Sequence, residues 1–88
     1  MKVLHFKRDK YNKSDVVYIG RPSKWGNPFK IGVDGTREEV VKKYEEYIRK
    51  TPALLESLSE LVGKDLVCWC APQLCHGDVL IKLIKELL

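Results

Sequence analysis

Apolar positions along the chain fall into two kinds of pattern. Three short runs, Val3-Leu4-His5-Phe6, Val16-Val17-Tyr18-Ile19 and Leu66-Val67-Cys68-Trp69-Cys70, are rich in β-branched and aromatic residues. Their composition and length predict strands, and the near-continuous apolar character of the second and third predicts buried ones. Elsewhere the spacing is helical. Val40, Tyr44, Tyr47 and Ile48 share one face, as do Leu54, Leu55, Leu58, Leu61 and Val62, and then Leu80, Leu83, Ile84, Leu87 and Leu88. Thr36-Arg37-Glu38-Glu39 reads as a capping box opening the first helix. Thr51-Pro52 reads as the start of the second, and Gly63 as its stop. The last helix is expected to begin near residues 76–78.

The predicted order is strand, strand, helix, helix, strand, helix. A two-helix crossover is long enough to make the second and third strands parallel. The expected fold class is therefore α/β: a small sheet of about three strands with a parallel central pair, a two-helix crossover and a C-terminal helix. Both strands then deliver their following loops to one carboxyl rim, where open parallel sheets usually bind ligands. Eighty-eight residues are enough for one modest core, so a single domain over residues 1–88 is expected.

Those two loops hold the residues with chemical potential. The first is Gly20-Arg21-Pro22-Ser23-Lys24-Trp25-Gly26-Asn27-Pro28-Phe29. Its prolines stiffen the chain and its glycines permit close backbone approach. Arg21 and Lys24 supply charge, Trp25 a flat face, and Ser23 and Asn27 polar groups to orient a ligand. Trp25 and Phe29 read first as plugs for the core, whereas for Arg21 the functional reading stands ahead of a structural ion pair. The second is Cys68-Trp69-Cys70-Ala71-Pro72-Gln73-Leu74-Cys75-His76-Gly77-Asp78. Cys75 and His76 fall at a helix start, where the dipole and a neighbouring imidazole favour a thiolate. Cys75, His76 and Cys70 are the candidate reactive set, with Asp78 as a further ligand contact. Cys68 reads as an inert buried thiol, and Asp78 also as a first-turn residue matched to the helix dipole. His5 reads as a strand residue without a chemical role.

Composition and charge narrow the classes. A hydrophobic share of 44% and a charged share of 32% fit an ordinary globule. No apolar run approaches the ~18 residues of a membrane span, so no membrane partner is expected. The charged N-terminus does not read as a signal peptide, which predicts a cytoplasmic location with reduced cysteines. The net charge of +4 is uneven, since residues 1–30 carry eight basic and two acidic side chains. That bias points to an anionic small molecule, with nucleic acid as a further candidate partner. For residues 7–13 alone, a solvated lysine-rich loop is the simpler reading. Phosphate-binding glycine loops, the dinucleotide fingerprint and the serine nucleophile elbow are all missing. So is the deaminase signature.

At the two loops the sequence resembles the family catalogued as domain of unknown function 4326. The resemblance runs from about residue 16 to the C-terminus, leaves residues 7–13 outside, and includes Asp34-Gly35-Thr36-Arg37-Glu38-Glu39. It implies small cytosolic or phage-type proteins with these same polar segments, and it implies no reaction.

The expectation is thus a small cytosolic domain that binds or acts on a phosphorylated, nucleotide-like ligand. It would use an Arg/Asn loop and a Cys/His site, with no cofactor. The alternative is a zinc-stabilised module for nucleic acid or protein, holding the ion with Cys70, Cys75 and His76 plus Cys68 or Asp78.

Overall fold

The computed structural model describes residues 1–69 and 73–88. Three parallel strands form one sheet: β1 (Val3–His5), β2 (Val16–Tyr18) and β3 (Asp65–Cys68), in the order β1-β3-β2. The last strand in sequence is therefore the central one. Leu66 pairs with Val3 on one side and Val17 on the other. The pairing continues past the strand ends, through Phe6 N–H to Cys68 O (2.8 Å) and Ile19 N–H to Val67 O (2.9 Å). The expected parallel arrangement is present, with one correction. β2 is not a buried central strand but a half-buried edge, because β3 takes the centre and leaves β2 bonded on one side only. β3 also ends at Cys68, so Trp69 lies beyond it and the expected strand position Cys70 lies outside the described residues.

The crossover from β2 to β3 carries α1 (Arg37–Arg49) and α2 (Pro52–Ser57). A 3₁₀ turn over Leu58–Leu61 extends α2, and Gly63 then reverses the chain at φ +82°. The capping box of α1 is formed: Glu39 N–H donates to Thr36 Oγ1, and Thr36 N–H to Glu39 Oε1. The C-terminal helix α3 (His76–Leu87) packs with α1 over one face of the sheet. Leu66, Cys68 and Ile19 meet Leu80, Leu83, Tyr44 and Ile48 there in the main core. Val67 is also only 1% exposed, yet it alternates to the opposite face. Residues 6–15 leave β1 on one flank of β3 and enter β2 on the other, so they must cross the sheet. With the helices on one face, this basic segment crosses the other. Ser14 near its far end accepts from Lys64 Nζ (3.0 Å).

No helix among the described residues is long and apolar enough to cross a membrane.

Candidate functional site

The carboxyl ends of β2 and β3 open into a cleft of about 600 Å³. The segment after β2 forms one wall. A Cβ at Gly20 would collide with the Tyr18 hydroxyl oxygen, so a side chain there would force the Tyr18 ring to move. Ser23 then closes the turn, its N–H and hydroxyl both donating to Gly20 O (3.0 and 2.6 Å). Gly26 presses back on Arg21, where a Cβ would stand 2.8 Å from Arg21 Cγ. Asn27 clips the segment to α1: its Nδ2 donates to Val40 O (3.2 Å) and its Oδ1 accepts from Phe29 N–H (2.9 Å).

The opposite wall and floor come from β3 and the start of α3. Cys75 is the N-cap of α3. Its sulfur accepts from Gly77 N–H (3.5 Å), and its own N–H donates to Asp78 Oδ2 (3.0 Å). This is a second capping box, with cysteine in the place usually held by serine or threonine. Cys75 Sγ lies 2.8 Å from Cys68 Sγ and 3.4 Å from His76 Nδ1. His76 is buried, with its Nε2 2.7 Å from Ile19 O and its ring edge-on to Tyr44. A carbonyl can only accept, so the His76 proton belongs on Nε2. In the neutral ring, Nδ1 then presents a lone pair to the Cys75 sulfur.

Of the residues singled out from sequence, Arg21, Asn27, Cys68, Cys75 and His76 line this one cleft. Ser23 and Asp78 make the loop and helix-cap bonds just described. Trp25 is in the core, and its carbonyl accepts from the Tyr44 hydroxyl (2.6 Å). Lys24 pairs with Glu60 at 2.9 Å, a hydrogen bond that holds the Glu60 carboxyl below its usual range. Cys70 lies outside the described residues. His5 has a structural task, since its Nδ1 accepts from Lys7 and Arg8 N–H.

Three polar cleft residues escaped the sequence reading. Arg37 begins α1 and reaches across to Leu74 O (3.3 Å). Lys30 and Tyr18 line the cleft as well. Arg37 was readable in principle: it directly follows the N-cap, so the helix start that the capping box predicts also fixes its place. The cleft lining therefore holds Arg21, Lys30 and Arg37, and no carboxylate among the described residues. Arg21 is exposed and forms no ion pair among the described residues, unlike the structural-partner reading.

The described groups do not assemble a metal site. Cys70, one of the ligands in the zinc alternative, lies outside the described residues.

Similarity searches place the chain among viral relatives. It is 39% identical to an uncharacterised protein of Acanthamoeba polyphaga mimivirus, over 89% of this chain and 77% of the relative. It is 34% identical to an uncharacterised 12.4 kDa protein from the nrdA-td intergenic region of Enterobacteria phage T4, over 90% of this chain and 76% of the relative. No solved structure matches. The family model covers residues 4–86, so the resemblance begins well before residue 16 and the basic segment 7–13 falls inside it. The chain belongs to the family described as Domain of unknown function (DUF4326).

Proposed function

We propose that the cleft binds a phosphorylated, nucleotide-like molecule and presents it to the Cys75–His76 pair. The observation that carries this reading is the charge of the cleft: Arg21, Lys30 and Arg37 around one cavity, with no described carboxylate to neutralise them. Guanidinium groups suit phosphate oxygens in particular, because their planar donors match them two at a time. A cleft of this size fits the range of small-molecule sites. Asn27, Ser23 and Asp78 support the reading indirectly, by fixing the backbone that carries Arg21 and Cys75. The reactive step is assigned to the Cys75 sulfur, with His76 Nδ1 as its base.

The test is a panel of nucleotides and sugar phosphates screened by thermal shift, followed by titration of wild type and Arg21→Ala. Arg21 is exposed, and alanine keeps the backbone that Gly26 packs against, so the melting temperature should move little. Affinity should fall by about 1.5–3 kcal/mol, the usual worth of a charge-assisted hydrogen bond. A large drop in melting temperature with unchanged affinity would show Arg21 to be structural. A panel with no binder would remove the reading altogether.

A second measurement addresses the thiol. Timed alkylation followed by mass spectrometry should modify Cys75 ahead of Cys68, and a bound panel member should slow it. Cys68 reacting first contradicts the assignment of the sulfur.

A further inference from the structure

The cleft does not end at its cations. Beyond Tyr18 and Trp69 its rim continues into a group of aromatic rings on the surface. Trp69 and Phe6 are 48% and 42% exposed, although large apolar side chains usually find cover. They stack at 4.7 Å with 26° between the planes, and Phe6 meets Tyr18 edge-on at 5.7 Å. The Trp69 Nε1–H donates to the Tyr18 hydroxyl (3.0 Å), which holds the indole against the rim of the cleft. Lys7 Nζ stands 5.5 Å from the centre of the Trp69 ring.

From this platform the basic segment runs away over the outer face of the sheet. Lys7, Arg8, Lys10 and Lys13 are all exposed, and none forms an ion pair among the described residues. The acidic Asp9 within it is turned inward, accepting from His5 N–H at 2.7 Å. A free mononucleotide seated by Arg21 and Arg37 leaves all four of these cations without an anionic partner among the described residues. A chain of phosphates leaving the cleft past Trp69 meets them in order.

We infer that the cleft, the Phe6–Trp69 platform and the basic segment together bind single-stranded nucleic acid, one nucleotide entering the cleft and its neighbours stacking on the platform. Exposed aromatic faces beside a track of cations are the physical requirement for holding a strand without reading its sequence. A duplex keeps its bases stacked inside and cannot use the platform. This inference rests on the nucleotide reading of the cleft and extends it from a free molecule to a unit of a strand.

The two tryptophans make the test direct. Trp25 is 2% exposed and Trp69 48%, so a stacking base quenches Trp69 and leaves Trp25 as an internal reference. The protein is titrated with thymidine monophosphate, with oligothymidylate of about twelve nucleotides, inside the usual single-strand site range, and with the matching duplex. The strand should bind at least about tenfold tighter than the monophosphate, with quenching, as expected from stacking of a single further base. Its affinity should fall by about 0.7 logarithmic units per phosphate contacted for each tenfold rise in salt. Read by the anisotropy of a labelled oligothymidylate, Trp69→Ala, Phe6→Ala and the double variant Lys10→Glu/Lys13→Glu should each weaken strand binding. The charge variant should leave the monophosphate affinity unchanged and flatten the salt dependence. Residual Trp25 emission and circular dichroism report whether each variant is folded. A strand that binds no tighter than the monophosphate overturns the inference and leaves the cleft reading standing. So does a duplex that binds as well as the strand. If neither monophosphate nor strand binds, both readings fall.

Discussion

At the scale of single residues, the buried Tyr44 links the first loop to the core. Its hydroxyl donates to Trp25 O, and its ring packs against His76 and Tyr47. Burial raises its pKa above the ordinary value of 10.0, with the negative charges that Tyr47 and Cys75 would carry adding to the effect. The folded state therefore keeps this proton after the unfolded chain has lost it. Its contribution to stability is complete below about pH 10 and declines as pH rises further. Tyr44→Phe should cost about 1–3 kcal/mol at neutral pH by leaving the Trp25 carbonyl unbonded. Above pH 10 the gap between variant and wild type should shrink by about 1.4 kcal/mol per pH unit. Urea unfolding of both proteins across that range checks the slope. A gap that stays constant would mean that the phenol ionises alike in both states.

At the scale of elements, the second residue of α3, Gly77, leaves no room for a side chain between the helix start and the sheet. A Cβ on Gly77 would stand 2.8 Å from both Ile19 Cδ1 and Val3 Cγ2. Gly77→Val should therefore lower stability by about 1–3 kcal/mol through overpacking. Helix propensity alone points the other way, since glycine costs up to about 1 kcal/mol in a helix interior. A rise in the urea midpoint would show that the sheet yields. This element also marks how far the sequence was legible. The α1 capping box was readable because Thr36 and Glu39 are the usual residues at their spacing. Cys75 and Asp78 form the same device, but the cysteine drew attention to its reactivity and concealed its capping role. The strands were legible as apolar runs. Which of them was central was not, because pairing order is set by contacts across more than forty residues and leaves no local trace. Likewise the loop cations looked alike in sequence. Only the fold sends Lys24 to Glu60 and Arg21 to the cleft.

At the scale of the whole molecule, the order β1-β3-β2 has a consequence for how the protein comes into being. The central strand is the last to be made, and without it β1 and β2 have no partner in the sheet. A chain growing from its N-terminus can form α1 early, but it has neither sheet nor cleft until residue 68 is available. Everything before Gly63 supplies the outer strands and one wall, and everything after it supplies the centre and the floor. The reversal at Gly63 is exposed, and a side chain there would meet nothing within 4 Å. A backbone cut beside it therefore divides the molecule along its own plan of assembly. Fragments 1–63 and 64–88 should each lack stable structure alone and recover the circular dichroism of the intact chain when mixed, as two halves of a split reporter do. A sheet signal from the first fragment by itself would show that the outer strands can pair without the one that separates them.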